Sequence, residues 1–137
     1  MCRLFATTVG FTEHQVRNEI LDRMMLLAVA ESYQRDGWGL TDGKQLYRGV
    51  GVYGFDDEWQ KDFEGDIALA HVRAASDGMG MSKKESHPYN LGSFLFAHNG
   101  QFYGTASKYT SSHAPDTDSY RAAAIFEEKF GAKFTPD

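Results

Sequence analysis

The residue with the most chemical potential in this sequence is Cys2, directly after Met1. With Met1 removed, as is usual before a small second residue, Cys2 carries both a thiol and a free α-amine. The amine titrates near ~8 and accepts a proton at neutral pH, while the thiol is a strong nucleophile. One residue then supplies nucleophile and base. A lone cysteine near a terminus is more often a small buried hydrophobe, so its position alone does not settle its role.

Other residues suit the remaining parts of such a reaction. Asn99-Gly100 pairs a side-chain amide with the backbone N–H of a residue that permits close approach, which fits a developing oxyanion. The same dipeptide is also the commonest hairpin turn. Arg73 ends an apolar run, and its planar fork suits a carboxylate or a structural ion pair. In Asp116-Thr-Asp118-Ser119, ahead of a helical pattern, an Asp or the Ser is expected as N-cap, and a cap can coexist with a ligand site. Gly37-Trp-Gly39 reads as a break into extended structure around a Trp. His71, His87 and His98 lack helix-face or short ligand spacing, so no metal and no cofactor is expected.

These residues need elements to hold them. Residues 4–9 are rich in β-formers and read as a strand at the terminus. Thr12-Glu-His-Gln15 matches a capping box, and Val16, Ile20, Met24, Leu27 and Ala28 follow helical spacing, which predicts a helix over roughly 13–34. Residues 38–42 and 45–53 pair as a hairpin across the two-residue turn Asp42-Gly43. Residues 56–63 are a weak helix candidate. Residues 66–73 form an apolar run that turns polar at its end, which predicts a buried strand delivering side chains to a site. Residues 76–91 and 105–117 read as loops, and 93–97 as a second buried strand. Residues 119–130 read as a helix ended by Gly131. The expected class is α+β.

Composition bounds the rest. A chain of 137 residues with no repeat or linker is read as one domain, 1–137. Its 42% apolar and 24% charged residues exclude a disordered or collagen-like chain. Fourteen Lys and Arg against nineteen Asp and Glu give a net charge of −5, which argues against nucleic acid as a direct partner. The longest apolar run, 24–30, is far short of the ~20 residues that span a bilayer. The N-terminus has no apolar signal region, and the single cysteine permits no internal disulfide, so a cytoplasmic location is expected.

Taken in order, Cys2-Arg-Leu-Phe5, Asp36-Gly-Trp-Gly39, His71-Val-Arg-Ala-Ala-Ser76, His87-Pro88, Phe96-Ala-His-Asn-Gly100 and Asp116-Thr-Asp-Ser119 resemble the successive motifs of class II glutamine amidotransferase domains. These are N-terminal-nucleophile (Ntn) hydrolases, and the resemblance is to the group beginning Cys-Arg-Leu and carrying Asp-Gly-Trp-Gly. It implies an αββα four-layer sandwich. The family's domains are longer, so the sandwich is expected to be shortened or incomplete at the C-terminus. The resemblance makes Cys2 the nucleophile, its α-amine the proton acceptor, and Asn99 and Gly100 the oxyanion hole. Arg73 is matched to the substrate α-carboxylate, Asp118 to its α-ammonium, and Ser76 and His87 to further pocket positions. The sequence departs from related synthase domains at Ala74, where an aromatic is frequent, and at Tyr120, where an acidic residue is common. The implied activity is hydrolysis of the glutamine side-chain amide through a γ-glutamyl thioester, with ammonia passed to a separate synthetase. The alternatives are hydrolysis of a γ-glutamyl amide or peptide and a non-catalytic glutamine-binding subunit. The chain is then expected to be a pared-down member, a fragment, or one whose sheets a partner chain or a second copy completes; the expected partners are an ammonia-accepting synthetase or a second copy of the chain.

Overall fold

The computed structural model describes residues 2–8, 13–32, 36–54, 58–74, 82–92, 94–102 and 117–131. Along these run β1 (Arg3–Thr8), α1 (His14–Ser32), β2 (Gly37–Thr41), β3 (Leu46–Gly49), α2 (Glu58–Asp62), β4 (Ile67–Arg73), β5 (Tyr89–Asn90), β6 (Leu95–Phe96) and α3 (Asp118–Phe130). The fold is mixed α+β. No helix among the described residues is long and apolar enough to cross a membrane.

The first sheet is antiparallel with strand order β1-β4-β2-β3. β4 lies between β1 and β2, covered on both faces, which is why its sequence is a nearly unbroken apolar run. Its even-numbered residues Ala68, Ala70 and Val72 join Leu40, Leu21, Met25 and Ala28 of α1, and Trp59 and Phe63, in the hydrophobic core. Its odd-numbered residues His71 and Arg73 point from the opposite face, because successive strand side chains alternate.

The apolar spacing that predicts α1 marks its exposed side. Val16, Ile20, Met24 and Leu27 are 40–60% exposed, whereas Arg17, Asn18, Leu21, Asp22 and Met25 are buried. The buried polar residues serve backbone groups that no helix or ladder satisfies or, for Asp22, a buried hydroxyl. Asn18 Nδ2 donates to the carbonyls of Gln60 (2.8 Å) and Phe63 (3.0 Å) at the end of α2. The Arg17 guanidinium donates to Gly65 O and Phe63 O and is oriented by Asn18 Oδ1. Tyr53 OH donates to Asp22 Oδ1 and accepts from Trp59 Nε1 at 2.9 Å.

The β2–β3 connection has four residues rather than the expected two, since Thr41 pairs with Leu46. Asp42 dictates this. Its Oδ1 accepts from the backbone N–H groups of Lys44 and Gln45, and its Oδ2 from those of Glu64 and Gly65, at 2.7–2.9 Å. Burial by itself would raise the Asp42 pKa, but these four donors outweigh it and hold the carboxyl below the ordinary value. Asp42→Asn puts an NH2 group against one pair of donors and is expected to cost about 2–4 kcal/mol at pH 7, read by urea unfolding. A depressed folded pKa confers stability above the unfolded pKa of ~3.9 that is lost as pH falls through the folded value. The gap between wild type and variant should therefore close below about pH 4.

On the other face of the first sheet lies the segment 86–90, within residues predicted to be loop throughout. A 3₁₀ turn at Lys83–Glu85 leads into this segment, which passes through a cis His87-Pro88 peptide into the strand β5. β5 pairs with β6 in a two-stranded antiparallel sheet. β6 is half-buried and shorter than the buried strand expected at 93–97. α3 packs beside this pair through Tyr89–Tyr120 and Phe96–Phe126 ring contacts, with centroids 5.1 and 6.0 Å apart.

Candidate active site

Antiparallel pairing of β1 with β4 joins residue 3 to residue 72, so the next step along each strand sets Cys2 against the end of β4. The Cys2 thiol accepts from Ala74 N–H (3.3 Å) and donates to Ala74 O (3.4 Å). That backbone N–H is a ready donor to a thiolate. Asn99 reaches the same place from the stretch after β6, where its Nδ2 donates to Cys2 O at 3.0 Å. An amide carries two N–H donors, and this bond uses one.

A cavity of about 310 Å³ opens beside Cys2, lined from β4 by His71 and Arg73, from the 86–90 segment by His87 and Tyr89, and from α3 by Asp118 and Ser119. Gly100 also lines it. Its φ of +147° and the His98 ring, 3.1 Å from where a Cβ would sit, exclude other residues there without strain. The volume lies at the low end of the ~300–1,000 Å³ typical of small-molecule sites, and fits a ligand of amino-acid size.

Gly37-Trp-Gly39 proves to be strand β2, and its glycines make room for the site. They face Arg73 and His71 across the ladder. A Cβ at Gly37 would collide with Ser86 Oγ, and one at Gly39 with the His87 carbonyl oxygen. The missing side chains let the His87 segment lie directly on the sheet. His87 then packs against His71 with ring centroids 4.3 Å apart at a 46° tilt, and edge-on against Tyr89 at 4.5 Å.

The histidines are held neutral. Burial, then the neighbouring His87, lowers the His71 pKa to about 3. Burial and the Arg73 charge lower that of His87 to about 4. His87 Nδ1 accepts from His98 N–H at 3.4 Å, which puts its proton on Nε2. His98 stacks on Phe102 at 4.1 Å, and its Nδ1 shares a 3.0 Å hydrogen bond with Ser119 Oγ. Tyr89 OH bonds Thr117 Oγ1 at 2.9 Å, and burial pushes its pKa up to about 12.

The N-cap of α3 is Thr117, not an Asp or the Ser; its Oγ1 accepts from Tyr120 N–H at 3.2 Å. Asp118, the first helical residue, instead accepts from Phe102 N–H (2.6 Å) and Ser119 N–H (2.8 Å). A carboxylate has about four acceptor positions, so capacity remains for a ligand's cation, and Asp118 is the one carboxylate among the described residues that line the cavity.

No protein-family model and no curated protein matches this sequence. The site's chemistry therefore follows from its own geometry. Of the residues expected to act, Cys2, Arg73, His87, Gly100 and Asp118 line one cavity, and Asn99 is bonded to the Cys2 carbonyl. Ser76 lies outside the described residues. Sequence reasoning gave His71 and His98 no role except as unsuitable metal ligands, and passed over Tyr89, Phe102 and Thr117. The two-residue spacing of His71 and Arg73 on a strand is the signal that could have found His71. No local signal marks Tyr89, and Thr117 carries only the general preference of Thr for a helix N-cap; the two meet through the packing of α3.

Proposed function

We propose that this protein is an N-terminal-nucleophile amidohydrolase of the class II glutamine amidotransferase type, cleaving the side-chain amide of glutamine through Cys2. The observation that carries the reading is the gathering of a nucleophilic thiol, an amide donor, a cation and an anion around one amino-acid-sized cavity, from residues as distant as 2 and 118. The α-amine of Cys2, exposed on loss of Met1, takes the thiol proton. The sulfur attacks the amide carbon, and Asn99 with Gly100 N–H holds the oxyanion. The C–N bond breaks, the proton passes to the leaving nitrogen, and ammonia departs. Water then cleaves the γ-glutamyl thioester, releasing glutamate and restoring the thiol. Arg73 and Asp118 orient the amino-acid end through its carboxylate and ammonium, which keeps the amide at the thiol.

The order of α1, first sheet, β5–β6 pair and α3 supports an αββα layering, here in a short form. Ammonia released by such a subunit would serve a separate synthetase. Ala74 offers only a methyl group at the cavity edge, which favours substituted γ-glutamyl amides as a second substrate class. The test is glutamate release from glutamine, and from γ-glutamyl amides, by protein whose intact mass shows loss of Met1. Turnover of neither substrate by such protein overturns the reading.

Asp118→Asn is expected to raise KM for glutamine roughly 10- to 100-fold with kcat nearly unchanged, the range of a charged hydrogen bond. Thr117 still carries the cap, but the new NH2 group faces the N–H of Phe102 or Ser119, so the melting temperature should fall modestly and the KM-against-kcat split carries the test.

A further inference from the structure

We propose that His71 is a second ligand to the substrate α-carboxylate, acting beside Arg73 on the floor of the Cys2 cavity. The inference rests on the amino-acid reading of that cavity and extends it to a residue that reading does not use. The His71 side chain is buried, the residue lines the cavity, and neither ring nitrogen makes a well-formed hydrogen bond among the described residues, although the His98 backbone lies close enough to act on the ring. The His98 backbone can serve only one ring nitrogen, and a buried nitrogen left without a partner is costly, since buried polar groups in native proteins are almost always paired. A ligand is the natural partner for a ring in that position.

The neighbours select the ligand's chemistry. Residues two apart on a strand share a face and lie roughly 6.6 Å apart, so an anion on the Arg73 fork comes within reach of the ring. Arg73 lies beside the ring on the same strand, and an ammonium group seated there would meet its positive charge. Asp118, which suits the ammonium, approaches from α3 instead. Neutral imidazole donates one N–H, as a carboxylate oxygen requires. His87, packed against the ring, and the absent side chain of Gly39 opposite it fix its position.

The experiment compares binding of L-glutamate with that of L-isoglutamine, in which the α-carboxylate is an amide, by calorimetry on the intact mature protein. His71→Phe should weaken L-glutamate binding roughly 10- to 100-fold and leave the already weaker isoglutamine binding within about twofold. His71→Asn, which retains a donor, should recover part of the loss. A purely structural role would weaken both ligands alike, and that outcome overturns the proposal. It is equally overturned if L-glutamate binding falls in Arg73→Met but is unchanged in His71→Phe. If His71→Phe does not fold, the Asn variant decides by the same ligand comparison. Failure of the wild-type protein to bind any α-amino acid would instead overturn the underlying reading of the cavity.

Discussion

Cys2→Ala should lower glutamate release from glutamine by roughly 10⁴-fold or more, to the level of the uncatalysed reaction. Losing the nucleophile removes the covalent path altogether, and the remaining oxyanion donors have no thioester-forming attack to stabilise. Cys2→Ser keeps a hydroxyl in place of the thiol and should retain only a small residue of activity, since an alcohol is far less ionised at neutral pH. Neither change should unfold the protein, because the thiol's visible partners are the two backbone groups of Ala74. The measurement is steady-state ammonia and glutamate release, with the melting temperature as control. Protein retaining Met1 should behave like Cys2→Ala despite an intact thiol, because its α-amine is part of a peptide bond. Activity within about tenfold of wild type in either form would exclude the N-terminal mechanism.

The second large effect is expected at Asn99. Deleting one oxyanion donor costs about 10²–10³ in kcat. Here the same amide also bonds the Cys2 carbonyl at 3.0 Å, so it sets the distance between donor and nucleophile. Asn99→Ala should lower kcat within or beyond that range while moving KM little, since neither function concerns the amino-acid end of the substrate. Asn99→Asp preserves shape but replaces the donor with an anion facing the developing negative charge and the Cys2 carbonyl. It should be at least as inactive as the alanine variant. A KM effect without a kcat effect would assign Asn99 to substrate binding instead.

The positions of β1, β4 and α3 were legible in the sequence because each is marked by its own local pattern. β-Formers cluster at residues 4–9, an apolar run ends in Arg73, and an Ala-rich stretch ends at Gly131. The helix α1 was legible as a helix, but not by its buried side. Its apolar stripe at Val16, Ile20, Met24 and Leu27 faces outward. Arg17, Asn18 and Asp22 are buried instead, because carbonyls at 60, 63 and 65 and the Tyr53 hydroxyl need partners. Such needs arise only when distant segments meet. The same holds for Asp42, whose four backbone donors include two from residues more than twenty positions away.

For the candidate site, the sequence by itself determined the residue types: a cysteine in second place, an Asn-Gly, an arginine ending an apolar strand, and an Asp at a helix start. Those are set by local chemistry and survive any change of surroundings. Tertiary structure alone decided that they share one cavity, that Asp118 is engaged by the Phe102 N–H, and that His71 is buried there. The physical reason is the antiparallel pairing of β1 with β4 and the close seating of the His87 segment on Gly37 and Gly39. Both join residues far apart in the chain, and no spacing pattern along it encodes them.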